Sequence, residues 1–339
     1  MKLGIDFGGT KTEIIALNDV GKELYRLRIP TPRDDYSKTI ESFVELVGQA
    51  EKTTGQKGTL GVGIPGNIAQ DTGVIKSANT TWIVGKPFKK DLEEALGRSV
   101  NIDNDANCFA VSEAADGAGK GKSVVFASII GTGFGGGVAL NGKSWPGHNE
   151  IAGEWGHNPL TFPRMYLDKK PKKNIFREHP KEAEMASRNI FKDKDDITYF
   201  TDDLAWNEYP GPLCYCGKRG CLERWVSGTG LKRDYFYVTG EEHSTHEIIA
   251  NAQKGEKKAV AAFDRYTDRL ARAYAFVINI LDPDVIVVGG GMSSVEKIYE
   301  DVPEIWGKYI YAQNPKTKLL PARHGDSSGI RGAAWLSKN

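Results

Sequence analysis

Three cysteines crowd into one short stretch: Cys214, Cys216 and Cys221 in "CYCGKRGC". Three thiolates and one imidazole make a closed tetrahedral zinc site, and Gly217 and Gly220 permit the sharp backbone on which three sulfurs converge. The fourth donor is open, since histidines stand at 148, 157, 179, 243, 246 and 324 and spacing does not choose among them. Cys108 is isolated in an apolar helical stretch and reads as a small core residue. A second chemistry lies in the glycine turns. Gly8, Gly9, Thr10 and Lys11 separate two strand-like segments, and so do Gly131, Thr132 and Gly133; Gly290 and Gly291 follow a third. Without a Cβ, glycine lets backbone N–H groups approach and point at phosphate oxygens. The Thr10 and Thr132 hydroxyls add neutral donors. Asp6 cannot bind phosphate itself, but it can hold Mg²⁺ where β- and γ-phosphates meet. Two such hairpins facing across a cleft would clasp a triphosphate from both sides. The third chemistry is a carboxylate. Asp105 in "NIDNDANCFAV" stands at the expected mouth of a helix, which favours its ionised form. There it can accept the proton of an alcohol receiving a phosphoryl group. The plain alternative is a helix N-cap.

The elements that must position these groups follow from pattern. Strands are expected at Lys2–Asp6, Thr12–Leu17, Leu24–Ile29, Leu60–Ile64 and Val100–Ile102. Ile40, Phe43, Val44 and Val47 fall at helical spacing within 36–52, and a helix runs from Asp105 to about Ala115. "GAGKGK", 117–122, reads as a flexible basic junction and the first domain boundary. "VVFASIIGTGFGGGVALNGK" then repeats the opening plan of strand, Gly/Thr turn, strand and Asn-Gly turn, which implies a duplicated α/β architecture. Ser293 and Glu296 form a candidate capping box. Residues 161–212, rich in Lys, Asp, Glu and Pro, read as a surface insertion.

Two nucleotide motifs fail on context. Gly131, Gly133 and Gly136 match G-x-G-x-x-G, with Glu154 beyond, but a strand and an Asn141-Gly142 turn follow instead of a helix. The Walker spacing is absent at the first turn. The chain has 339 residues, 45 basic against 44 acidic, and a net charge of +1. That length suits two domains, and the balance gives no electrostatic case for nucleic acid or anionic membrane. No apolar run is long enough to span a bilayer and no signal peptide is expected. The cytoplasm is therefore inferred, where clustered cysteines read as metal ligands rather than disulfides.

Taken in order, "GIDFGGTKTE", "GVGIPG", "NDANCFA", "GTGFGGG", "GEWGHNPL" and "CYCGKRGCLE" resemble the ROK-family sugar kinases, over about 2–160 and 212–336. "PTPRDDY", "SGTG" and "ARHGDSSGIRGAAWL" are most similar to the fructokinase/mannokinase branch. The resemblance implies the duplicated actin-like, hexokinase-type (ribonuclease H-like) fold. It implies a smaller domain, 1–117, joined by a C-terminal helix, 328–339, and a larger one, 118–327. ATP and Mg²⁺ would bind between them, with Asp105 as base. It also implies sugar contacts at Asn104, Glu154 and Glu223, with Asn79 a further candidate. His157 would be the fourth zinc ligand and a sugar contact through its two ring nitrogens. Zinc would be structural, and the protein a homodimer.

The expected reaction is phosphorylation of a hexose at its 6-hydroxyl, fructose first, mannose possible, with N-acetylglucosamine or glucose as alternatives. Two other classes are weaker. The family's transcriptional repressors carry a helix-turn-helix ahead of the fold, whereas only Met1 and Lys2 are expected to precede the fold here. A NAD-dependent dehydrogenase would rest on the 131–136 motif alone.

Overall fold

The computed structural model describes residues 1–69, 71–78, 80–164 and 208–337. Asn79 and most of the expected insertion, 165–207, lie outside them. The first sheet is built from β1 (Lys2–Phe7), β2 (Lys11–Leu17), β3 (Glu23–Pro30), β4 (Thr59–Ile64) and β7 (Val100–Asn104), in the order β3-β2-β1-β4-β7. A small hairpin, β5 (Gly66–Ile68) and β6 (Ile75–Ala78), leaves the end of β4. The second sheet is built from β8 (Val124–Ile130), β9 (Phe134–Leu140), β10 (Lys143–Ser144), β11 (Val285–Gly289) and β12 (Lys318–Pro321), in the order β10-β9-β8-β11-β12. In both sheets the first three strands run antiparallel and the last two are parallel to the first. The repeat expected from the two hairpins thus extends to whole five-stranded sheets.

Helices cover these sheets. The first half carries α1 (Tyr36–Thr54), α2 (Phe88–Leu96) and α3 (Asp105–Ala115). The second carries α4 (Glu223–Val226), α5 (Gly228–Thr239), α6 (Thr245–Gln253), α7 (Lys257–Leu281) and α8 (Glu296–Trp306), with α9 (Ser328–Trp335) at the end. α1 buries Phe43 and Val47 of the expected apolar stripe, with Leu46 beside them, against β1 and β4, while Ile40 and Val44 are only half-buried. It is capped by the Asp35 carboxylate at one end and left-handed Gly55 at the other. β4 and β11 are apolar almost throughout, as parallel strands covered on both faces must be. α9 lies directly on the first sheet. A Cβ on Gly61 would stand 1.9 Å from the Ala333 carbonyl oxygen, and one on Gly332 1.6 Å from that of Cys108. Only glycine permits this approach.

Several local expectations are corrected. The 117–122 junction is a hydrogen-bonded turn rather than a loose link: the Ala118 amide donates to the Glu113 carboxylate at 2.8 Å and the Gly119 amide to the Glu113 carbonyl at 2.9 Å. Ser293 does not cap α8. The Gly290 bend puts a 3₁₀ turn first, and the Ser293 hydroxyl donates back to the Gly290 carbonyl at 2.7 Å. A complete capping box exists instead at Ser244 and Glu247, opening α6. Cys108 is fully buried, as a core residue should be.

Candidate active site

β7 runs straight into α3 at Asn104–Asp105. The helix cap is Asn104, not Asp105: its Oδ1 accepts from the Ala106 amide at 2.8 Å, while its Nδ2 donates to the Gly66 carbonyl at 3.1 Å. One side chain therefore ties the helix start to the β4–β5 bend. Beneath it, buried Asp103 accepts from the Asn104 amide and from Asn107 Nδ2, both at 2.8 Å. Asp103 is a positioning residue that motif reading passed over, because a buried carboxylate next to a catalytic motif has no spacing signature. Asp105, released from capping, opens toward the cleft. Protein crowds it on its other sides, and this desolvation holds its carboxyl above the usual range despite the Ala106 amide, with the Glu154 carboxylate adding to the effect. The helix end favours the ionised form, as expected, and desolvation opposes it, leaving the carboxyl raised.

Asp6, at the end of β1, is pushed up to about 6 by burial first, then by the Asp105 and Glu13 carboxylates. Asp6, Asp105 and Glu154 are therefore electrostatic neighbours, a cluster of acids that an adjacent cation would relieve. Glu154 precedes a single 3₁₀ turn, Trp155–His157, in which residues three apart eclipse one another.

The two glycine turns are closed by their first amides. Gly8 donates to the Lys11 carbonyl at 3.0 Å and Gly131 to the Gly133 carbonyl at 3.1 Å. These two amides are spent within the turns. The Gly9, Thr10, Thr132 and Gly133 amides donate to no group among the described residues. Each turn is braced from behind. Thr31 donates to the Gly8 carbonyl at 2.7 Å, and Thr229 to the Thr132 carbonyl, also at 2.7 Å. Glu223 leans on the second turn, accepting from the Phe134 amide at 3.3 Å.

Beside the second turn opens a cleft of about 680 Å³, lined by Gly131, Thr132, Thr229, Lys232, Thr245 and Gly291 among others. Gly290, at φ +79°, brings the chain against the Ile130 carbonyl, where a Cβ would stand 2.6 Å away. The glycines at 131–133 and 290–291 thus border one space. Its other walls, from α5 and α6, were not foreseen. The "SGTG" run and the Ser244–Glu247 box were the signals that marked them.

The cysteine cluster is brought together with His157. Their donor atoms all lie within 4.8 Å of one another. Cys216 Sγ and Cys221 Sγ are 3.6 Å apart, and Cys214 Sγ lies 3.6 Å from His157 Nδ1. A tetrahedral zinc with bonds of about 2.3 Å sets such edges at about 3.7 Å, so the donor set and its dimensions fit that metal. Gly217 and Gly220 are both left-handed, as the tight loop requires. His157 Nε2 is 3.0 Å from the Tyr215 hydroxyl, so both ring nitrogens are engaged. A further contact joins the two halves: Lys76 of β6 pairs with Glu150 at 2.6 Å.

The ROK family model matches residues 2–339. The chain is 37% identical over 339 residues to an N-acetyl-D-glucosamine kinase of Vibrio atlanticus, and 36% identical to that of Vibrio cholerae, covering 99% of both chains in each case. Among solved structures it resembles the ROK hexokinase of Thermus thermophilus, with TM-score 0.77 and 29% identity, over 99% of this chain and 97% of the other. These neighbours have the actin-like two-domain fold inferred from the motifs. No helix among the described residues is long and apolar enough to cross a membrane.

Proposed function

The chain belongs to the ROK family, and from that premise we propose that it transfers the terminal phosphoryl group of ATP to the 6-hydroxyl of N-acetyl-D-glucosamine. The observation that carries the reading is that Asp105, at the open end of α3, lies near enough to Asp6 and to Glu154 for their charges to act on one another. Two things support the sugar: end-to-end likeness to N-acetyl-D-glucosamine kinases, and a carboxylate-rich pocket suited to paired hydroxyls. Fructose, which the motifs place first, becomes the second sugar to test.

The nucleotide occupies the cleft bordered by Thr229, Lys232 and Thr245. Its phosphates lie between the two turns and accept from the Gly9, Thr10, Thr132 and Gly133 amides, with Lys11 adding charge. Asp6 would hold Mg²⁺, directly or through water, and the ion would neutralise charge developing on the phosphates. Asp105 accepts the proton of the sugar 6-hydroxyl as the phosphoryl group arrives. Its raised proton affinity makes it a better acceptor, provided it is ionised at working pH. Glu154, Glu223 and Asn79 fix the sugar, and Asn104 holds the Asp105 backbone in place. Zinc held by Cys214, Cys216, Cys221 and His157 is structural, fastening the Glu154 segment to the Glu223 segment. The first domain is taken as 1–117 with the last helix, which lies on its sheet. Homodimerisation and a cytoplasmic site are carried over from the family likeness.

A coupled ADP-release assay with N-acetylglucosamine, glucose, mannose and fructose tests the reading. N-acetylglucosamine should give the highest kcat/KM; absence of turnover with all four would overturn the proposal.

A further inference from the structure

Glu113 is a fully buried carboxylate that the phosphoryl-transfer scheme does not use. It lies on α3 beyond Asp105, about 12 Å further along the helix axis. α3 is wedged between the halves. Val111 and Ala115 pack with Ile15 and Leu17 of the first half and with Ile330 of α9. Phe109, Ala110 and Ala114 pack with Val125, Ala127 and Ala139 of the second half. The chain passes from the first half to the second between α3 and β8, and returns between β12 and α9. Glu113 holds both passages. Its Oε2 accepts from the Ala118 amide at 2.8 Å in the first and from the Arg323 amide at 3.2 Å in the second. Its Oε1 accepts from the Ser328 hydroxyl at 2.8 Å, where α9 begins. A buried carboxylate is costly unless hydrogen bonds replace its water, so these ties resist being pulled apart. The first passage runs so close that a Cβ on Gly117 would stand 2.2 Å from Glu113 Oε2. Asp116, further along α3, accepts from Arg331 of α9 and lies 3.1 Å from His324 Nε2, so it reaches the return passage and α9.

We propose that Glu113 is a positioning residue for phosphoryl transfer: by tying both passages to α3, it fixes the placement of Asp105 relative to the second glycine turn. The proposal rests on the kinase reading above, in which Asp105 must meet a phosphate held partly by Gly131–Gly133. Misplacing a reacting group by about 1 Å can cost about 10²-fold in rate. Substrate binding, spread over several contacts, tolerates more.

The test compares steady-state kinetics of the whole protein and its variants, with ATP and the best of the four hexoses above, and melting temperatures alongside. Glu113→Gln keeps every tie, since its carbonyl oxygen can accept from both amides and its NH₂ can donate to Ser328. Glu113→Ala loses them all. In Glu113→Ala, kcat should fall about 10- to 100-fold, with each KM changed by less than about threefold. Glu113→Gln should return kcat to within about threefold of the parent's. In Glu113→Ala, a kcat within about twofold of the parent's, or a loss confined to KM, would overturn the inference and leave Glu113 a packing residue. A Glu113→Gln as slow as Glu113→Ala would overturn it too, because the ties would then not be what matters. If Glu113→Ala does not fold, Ser328→Ala carries the test by removing one tie. Its kcat should fall about two- to tenfold, the worth of one hydrogen bond, at unchanged KM; an unchanged kcat would overturn the inference. A parent that turns over none of the four hexoses would remove the kinase reading and this inference with it, a failure distinct from that of Glu113 alone.

Discussion

The two halves of the molecule share a strand order and differ in what they attach to it. In each, a hairpin turn follows the first strand and a glycine-closed bend follows the fourth. Two residues before the first glycine of the turn, however, the first half has Asp6 and the second has Ile129. The first half ends its fifth strand in Asn104, followed by Asp105, the proposed base; the second ends its own at Pro321. The second half instead inserts the cysteine loop and helices α4 to α7 between its hairpin and its fourth strand. Duplication thus supplied two glycine turns, and the halves then diverged. In the proposed reading both turns hold the phosphates, the first half supplies the reacting carboxylate, and the second supplies the remaining nucleotide cleft and the metal site.

The charges divide in the same way. In the first half Glu13 pairs at the surface side of the sheet with Arg26 and Arg28, at 2.6 and 2.7 Å. In the second half Arg269 is fully buried, 2.6 Å from Asp234 and 2.7 Å from Glu208, with its guanidinium 4.5 Å above the Trp225 ring. Arg272 joins Glu208 at 2.7 Å. Trp225 lies two residues after Glu223, so this buried network stands directly behind the second turn.

Substituting in each half should therefore fail differently. Asp105→Asn should cut kcat by about 10²- to 10⁴-fold, the range for a general base, while ATP affinity by calorimetry stays within about twofold. Near-normal turnover would remove Asp105 as base. Arg269→Leu should act on stability, costing about 3 kcal/mol in a urea titration. This is the low end for breaking a buried pair, because Arg265 and Arg272 still face the two carboxylates. A loss under about 1 kcal/mol would mean that the network does not hold the second half together. Gly290→Ala should lower the melting temperature and weaken ATP binding, since a side chain at φ +79° costs about 1–3 kcal/mol. Gly291→Ala, where a Cβ meets nothing within 4 Å, should leave the melting temperature unchanged. Equal effects at the two positions would contradict the described bend.

The smallest effect is a pH dependence. Burial alone would raise the Glu208 carboxyl; the Arg269 guanidinium, then Arg272, overturn that and hold it below the usual range. A carboxyl lowered in the folded state stabilises above its unfolded value, about 4.3, and that stability is lost as pH falls through the folded value. The urea midpoint should fall as pH drops below about 4.3, by less in Arg269→Leu than in the parent. An identical acid slope in both would detach Glu208 from this pair.

Much of this was legible in the residues because glycine turns, cysteine clusters and strand patterns act through local backbone rules. Gly8–Lys11 and Gly131–Gly133 had to be turns, and three thiols so close had to converge. What the sequence hid depends on distance. Desolvation of Asp105, which opposes its helix end, comes from protein packed beside it. Asp103 beneath Asn104 and Tyr215 on His157 are contacts whose meaning appears only when β7, the 3₁₀ turn and the cysteine loop come together. Ser293 and Glu296 had the right spacing for a cap, but the bend at Gly290 consumed the serine.

A crystal structure with a non-hydrolysable ATP analogue and N-acetylglucosamine tests the division most directly. The account predicts the phosphate tail between the Gly8–Lys11 and Gly131–Gly133 turns, with an Asp105 oxygen within about 3 Å of the sugar 6-hydroxyl. A tail bound away from either turn, or Asp105 directed away from that hydroxyl, would contradict it.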